Sequence, residues 1–171
     1  MEINEFWMII EDSLSPDQEE QLEKLADILS TKTDQDLIGF AKQYAQLLIE
    51  AYTWDLWAAC FVVNNGSASD DEFEDFRDWL ISQGQELYES AIQNPESVID
   101  QAEPEHMNFE VLRYVVSEVY DERHGTEFAE EVSIVALPGI DGMPSEPVGQ
   151  NWTEEQAWKR FPLLTEWVNS N

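Results

Sequence analysis

WDLWAACFVVNNGSASDDEFEDFRDWLISQG, residues 54–84, joins two helix patterns of different kinds across a short loop. Trp54 to Val63 is apolar almost all the way round a helical wheel, the mark of a central buried helix in a globular protein. Asn64-Asn65-Gly66 supplies residues that tolerate the left-handed conformation and so end that helix. Ser69-Asp70-Asp71-Glu72 then starts a second one. Ser69 serves as N-cap, Glu72 closes a capping box at the third helical position, and the aspartates meet the positive end of the helix dipole. Phe73, Phe76, Trp79 and Leu80 form the buried stripe of this helix, and Gly84 stops it.

Helical periodicity extends outward in both directions. Residues 3–11 are short and amphipathic, with Phe6, Trp7, Ile9 and Ile10 on the apolar side. Ser15-Pro16-Asp17-Gln18 reads as a helix start, with Ser15 as N-cap, Pro16 at the first position and Gln18 closing a box. That helix runs to about Ser30 and sets Leu22, Leu25, Ala26 and Leu29 on one face. Thr33-Asp34-Gln35-Asp36 opens another, to about Tyr52, with Leu37, Phe40, Ala41, Tyr44, Leu47, Leu48 and Ala51 in an i, i+3, i+4, i+7 stripe. Beyond the central stretch, a short helix is expected at 85–93 with Leu87 and Ala91 inward, and a helical turn after Pro95. A helix over 110–122 buries Val111, Leu112, Val115, Val116 and Val119 and stops at Gly125. Val132 to Leu137 has the composition of a short extended segment, and the prolines and glycines of 138–150 make a loop. In the closing segment, 151–171, Thr153 and Gln156 cap one short helix, and Leu163, Leu164 and Trp167 lie on another after Pro162. The expectation is an all-α protein: one compact multi-helix domain over 1–171, with a central buried apolar helix and an irregular late segment.

The charge is the second strong property. Thirty-seven acidic residues face eight basic ones, for a formal net charge of −29. The excess runs through the body of the chain, at −9, −10 and −9 in successive blocks of fifty residues, and is not a tail. Such a surface repels nucleic acid phosphates and anionic membranes, so neither is an expected partner. Three readings of the acidity stay open: a solvated surface suited to a salt-rich habitat, a docking surface for a basic protein, and mimicry of nucleic acid. The N-terminal MEINEFWMII lacks the basic and long apolar regions of a signal peptide, and no run approaches the roughly 18 apolar residues of a membrane helix. A soluble cytoplasmic protein is the expectation.

Catalytic motifs are scarce. Cys60, the one cysteine, cannot form an intramolecular disulfide or a thiolate zinc cluster, and its apolar neighbours make it a buried hydrophobe. His106 falls in an acidic loop, and His124 sits before Gly125, where it suits the negative end of a helix. No H-E-x-x-H pair, G-x-S-x-G elbow, P-loop or dinucleotide fingerprint is present. Asp70, Asp71, Glu74 and Asp78 lie at helical spacings that could bind a hard cation, but solvated carboxylates at such spacings are common in so acidic a chain. No metal or cofactor is expected. Arg77 stands alone, the only basic residue between 43 and 112. It reads either as half of an internal ion pair with Asp55 or as an anion anchor. Trp54 and Trp57 read first as core and second as a stacking platform.

This central stretch resembles the signature of the DUF4240 family, bacterial proteins of unknown function. Phe6, Trp7 and Ile10 match an N-terminal element; Trp54-Asp55-Leu56-Trp57 match the apolar helix, and Asn65-Gly66 the loop. Ser69, Asp70, Asp71, Phe73, Phe76, Arg77, Trp79 and Leu80 match the helix that follows. The helix over 110–120 and Trp152…Phe161-Pro162 extend the likeness toward the end of the chain. Asn65-Gly66-Ser67-Ala68 stands where the family more often has N-G-G-C, so any work done by that cysteine is not done here. The resemblance implies an all-α fold and brings no activity. Two functions are carried forward. The first is a non-enzymatic acidic module that binds a protein partner, a basic one by charge, as an immunity or inhibitor protein does. The second is an enzyme or small-ligand binder with a polar pocket at Trp54, Asp55, Trp57, Asn65, Asp70, Asp71 and Arg77. The weight of the sequence is against an enzyme.

Overall fold

The apolar run and its capped neighbour fold as their chemistry dictates. In the computed structural model, which describes residues 1–101, 107, 109, 112–125 and 144–170, Trp54–Val63 is one helix and Asp70–Ser82 the next. The fold is all-α. Among the described residues there are nine α-helices, two 3-10 helices and no strand. The helices are α1 (Ile3–Ser13), α2 (Gln18–Ser30), α3 (Asp34–Glu50), α4 (Trp54–Val63), α5 (Asp70–Ser82), α6 (Gln85–Gln93), α7 (Val115–His124), α8 (Glu154–Arg160) and α9 (Pro162–Ser170). The 3-10 helices are Pro95–Asp100 and Leu112–Tyr114. The expected extended segment at 132–137, the first part of the 138–150 loop, and the start of the 110–122 helix lie outside the described residues.

Contacts divide the chain into two compact units. Met1–Ile49 and Val111–Met143 form the first. Here α1 packs on α2 and α2 on α7. Phe6 from α1 meets Phe40 and Tyr44 from α3, with ring centroids 4.7 and 6.2 Å apart, so the two stripes read from the sequence close on each other. Each of the seven apolar residues of the α3 stripe is buried. Gly39, in mid-helix, gives up about 1 kcal/mol of helix propensity relative to Ala. A Cβ there would lie 2.8 Å from Met1, whose carbonyl also accepts a bond from Gln43 Nε2 at 3.0 Å.

The start of α2 corrects the expected cap. Asp17, not Ser15, is the N-cap, and its carboxylate accepts the Glu20 N–H at 2.9 Å. Ser15 instead donates its hydroxyl to the Glu20 carboxylate at 2.8 Å. An aspartate two residues on from a serine offers a charged acceptor to the same orphan amides, and the charged acceptor bonds more strongly. The face turns with it: Gln21, Leu25 and Leu29 are buried, while Leu22 and Ala26 are half-buried. At the end of α2, Arg123 from α7 donates to the carbonyls of Ser30 (3.1 Å) and Lys32 (3.0 Å) and pairs with Asp34 at 2.5 Å. His124, at 3.1 Å, takes the other Asp34 oxygen. One carboxylate in the first turn of α3 thus holds the last turn of α7.

Glu50–Glu110 and Pro144–Asn171 form the second unit, and α4 is its hub. α5, the 3-10 helix Pro95–Asp100, α8 and α9 all pack on α4, while α6 packs on α5 and that 3-10 helix. Leu56, Ala58, Ala59, Cys60, Phe61, Val62 and Val63 are buried, and each large member contributes about 1.5–3 kcal/mol on burial. The ends of α4 are closed without charge. Thr53 accepts the Leu56 N–H at 3.1 Å. At the other end Asn65, at φ 53°, and Gly66, at φ 91°, return their N–H groups to Val62 and Phe61 in a Schellman pattern. Residues 144–150 contain no helix, and part of them straps the start of α4: Trp54 N–H donates to Val148 O (2.9 Å), and Val148 N–H to Tyr52 O (3.0 Å). α5 carries the expected reciprocal box between Ser69 and Glu72, and α8 a second between Thr153 and Gln156.

Two outcomes follow from these ends. Ser69→Ala removes a cap and lowers unfolding stability by about 1 kcal/mol; an unchanged thermal midpoint would mean that the box does not hold α5. Asp34 has its carboxyl held below the ordinary aspartate value of 3.8 by the bond from His124 and then that from Arg123. A depressed folded value contributes stability that is complete above the unfolded value and lost as pH falls through the folded one. Asp34→Asn therefore lowers the thermal midpoint near neutral pH, and its difference from the parent shrinks as pH falls below the ordinary aspartate value and through the depressed folded one. A difference constant across that range defeats the assignment.

Candidate functional site

The residues singled out in the sequence take their places from α4 and α5. Four rings run as a continuous stack: Tyr52 on Phe73 (6.1 Å), Phe73 on Trp57 (4.9 Å) and Trp57 on Trp54 (5.3 Å). Trp152 meets Trp54 edge-on at 6.5 Å and tilts against Phe61 at 5.2 Å. Two indole N–H groups along this run have carbonyl partners: Trp57 donates to Ala68 O at 3.0 Å and Trp152 to Trp54 O at 2.9 Å. Trp54 and Trp57 are half-buried, and their inner faces belong to the packing.

Arg77 closes the stack. It is 5% exposed, and its guanidinium carbon lies 5.1 Å from the Tyr52 ring centre and 5.0 Å from that of Phe73. Its Nε also donates to Phe73 O at 3.4 Å, one helical turn back. A planar, weakly hydrated cation suits an aromatic wall in a way that a lysine ammonium does not. Asp78, beside it on α5, is completely buried.

Asp55 is not the partner of Arg77. It is exposed, and it pairs with Arg160 from the end of α8. Arg160 also donates to Gln150 O at 3.4 Å. The expected Asp55–Arg77 pair fails for a helical reason: Asp55 sits at the second position of α4, on the rim where the 144–160 segment passes, while Arg77 lies deep in α5. Sequence proximity to two tryptophans does not make an aspartate inward-facing.

The other candidates do not join this cluster. Asn65 is an exposed turn residue that ends α4, and Asp70 and Asp71 are exposed in the first turn of α5. Cys60 is sealed, and burial, reinforced by the Glu72 carboxylate, pushes its thiol well above the usual range, so it is poorly nucleophilic. His124 is committed to Asp34 and lies against Tyr120, with rings 4.4 Å apart; His106 is outside the described residues. Among the described residues, no group of His, Cys, Asp and Glu is placed to hold a metal ion. No described helix is long and apolar enough to cross a membrane.

A concave surface lies elsewhere in the second unit, where the sequence reading did not look. A groove of about 630 Å³ runs between the 3-10 helix Pro95–Asp100 and α9. Its walls include Ile99, Leu163 and Trp167, with Glu96, Asp100 and Glu166 among its polar residues. The signal was present in Leu163-Leu164-x-x-Trp167. Only Leu164 is fully buried in α9, and Leu163 and Trp167, four apart, form a second apolar stripe along the groove, Leu163 exposed and Trp167 half-buried.

What these features define is an all-α protein built round a capped apolar helix, with its central cation held by aromatic rings. The family model described as "Protein of unknown function (DUF4240)" matches residues 1–122, and the chain belongs to that family. The likeness noted at Trp152…Phe161-Pro162 falls beyond the matched residues. No curated protein and no solved structure matches the chain.

A double-mutant cycle separates the two arginines. Asp55→Asn and Arg160→Gln couple by roughly 0.2–1 kcal/mol, as partly exposed ion pairs do. Asp55→Asn and Arg77→Gln add within about 0.3–0.5 kcal/mol. Coupling of Asp55 to Arg77 above that level, read from denaturant unfolding, would restore the internal pair.

Proposed function

We propose that this chain is an acidic interaction module of the cytoplasm that holds a basic protein partner, in the manner of an immunity or inhibitor protein. The reading is supported by how the protein uses its few cations. Seven of the eight basic residues are either ion-paired or buried. Lys24 pairs with Glu20, Lys32 with Glu5, Arg123 with Asp34, Lys159 with Glu155 and Arg160 with Asp55. Arg77 and Arg113 are buried. Positive charge is therefore mostly matched by a neighbouring carboxylate or buried, and the many remaining carboxylates of both units leave a large negative excess. A field of one sign over a whole surface accelerates encounter with a partner of the opposite sign and repels nucleic acid and anionic lipid.

Glu72, whose carboxyl is lowered by the bond from the Ser69 amide, is occupied in closing a helix and is not part of that outward field. A solvated surface built only for solubility would tolerate a partner-free life, and affinity measurements separate the two. Captured basic proteins, purified and titrated back by calorimetry, are expected to bind one-to-one, with affinity falling at least tenfold between low salt and about 0.15 M. Recovery of no basic protein that rebinds in purified form, or an affinity indifferent to salt, would end this reading.

A further inference from the structure

We infer that the groove between the 3-10 helix Pro95–Asp100 and α9 seats an arginine side chain of the partner protein. The inference rests on the interaction-module reading and assigns it a contact point.

The groove has two kinds of wall. Ile99, Leu163 and Trp167 supply apolar surface; Leu163 is 56% exposed, and Ile99 and Trp167 are half-buried. An exposed leucine set in a concavity beside partly exposed apolar neighbours offers an apolar wall to a ligand. Glu96, Asp100 and Glu166 supply carboxylates, and among the described residues no basic one lines the groove. Glu96 has a structural duty, since its Oε1 accepts the Leu163 N–H at 2.7 Å and so holds the start of α9 against the 3-10 helix. Asp100 and Glu166 have no such duty in the described contacts, and both are exposed. The volume, about 630 Å³, lies in the range of sites that enclose ligands.

An occupant that suits both walls must be apolar along its length and cationic at its tip. Lysine and arginine have that form, with an aliphatic stem and a charged head. Arginine fits better for two reasons. Its planar guanidinium stacks on an indole face, the best of the aromatic surfaces for a cation. It also pairs with a carboxylate through two parallel hydrogen bonds, where lysine offers a point charge. Arg77 already shows the preference within this same unit, lying across the rings of Tyr52 and Phe73. The groove repeats that chemistry outward, with an indole in place of the internal rings.

The test uses the full chain and a defined probe, the acetylated and amidated peptide Arg-Leu-Arg-Leu-Arg, titrated by calorimetry at low salt. Paired substitution Asp100→Asn with Glu166→Gln keeps shape at two exposed sites and removes two charges. Glu19→Gln with Glu23→Gln, two exposed residues of α2 that do not line the groove, removes the same charge and serves as the control. The groove pair is expected to weaken the peptide at least tenfold and the control pair less than threefold. Trp167→Leu is expected to weaken it several-fold, provided that circular dichroism shows the helices intact. A peptide with citrulline for each arginine, neutral and of the same shape, is expected not to bind. Equal losses in the groove and control pairs would overturn the groove while leaving the acidic surface as the binder. Undiminished citrulline binding would overturn the cationic occupant. Absence of any arginine-peptide binding, if basic proteins still bind the chain, would overturn the groove alone; absence of both would remove the module reading with it.

Discussion

A helix that is apolar round its whole circumference has to be covered on every side, and that single requirement organises the second unit. α4 offers no polar face to water, so α5, α8, α9 and the 3-10 helix Pro95–Asp100 lie against it. Apart from Asp55 at its exposed start, its backbone ends are the polar groups it cannot hide, and they are closed by neutral means: Thr53 at one end, Asn65 and Gly66 at the other. An aspartate cap would carry a charge into the most apolar part of the unit, at a desolvation cost that a threonine hydroxyl avoids. The strap through Val148 completes the cover, satisfying backbone groups of Tyr52 and Trp54 that the N-terminus of α4 leaves over.

The same constraint explains the aromatic stack. Trp54 and Trp57 are too large to lie wholly within the core, and they extend it to the rim, where the Trp57 indole N–H finds a loop carbonyl and the Trp54 carbonyl accepts the indole N–H of Trp152. Arg77 then has a wall of rings to lie on. A buried cation without such a surface would cost several kcal/mol in lost hydration. Tyr52 and Phe73 offset part of that cost through their ring faces, with no water required.

Much of this was legible before the structure. The apolar run set the bounds of α4 to the residue, and Ser69…Glu72 and Thr153…Gln156 announced their boxes, because these are local rules in which side chain and amide lie three residues apart. The α2 cap was less legible, since Ser15 and Asp17 both satisfy the local rule and only the competition between them decides it. The partners of Asp55 and Arg77 were not legible. Arg160 reaches Asp55 across 105 positions, and Arg77 lies on Phe73 of its own helix and on Tyr52, ring surfaces that a search for a carboxylate partner passes over. Local pattern says which side chains want partners, but not which part of the chain will pass close enough to provide one. The groove escaped for a related reason. Leu163 and Trp167 look like core residues in a short helix, and only the burial of Leu164 in their place shows that they face outward.

The positions that looked functional in the sequence are thus mostly the positions where folding demands something unusual. Asn65 takes a left-handed turn, Asp70 and Asp71 meet a helix dipole, Trp54 and Trp57 extend a core to its rim, and Arg77 lies buried on rings. Each matches the family stretch, and each has a reason that refers only to α4 and α5. Function, on this argument, is to be sought where folding demands nothing. Leu163, Asp100 and Glu166 are such residues, together with exposed carboxylates elsewhere on the surface. Folding alone would permit polar, neutral residues at all of these positions. A protein that commits nearly every cation to an ion pair or to its interior, and still carries a net charge of −29, keeps up a self-repulsion that its own stability does not require. The proposed basic partner, by neutralising the charge, would supply the missing reason.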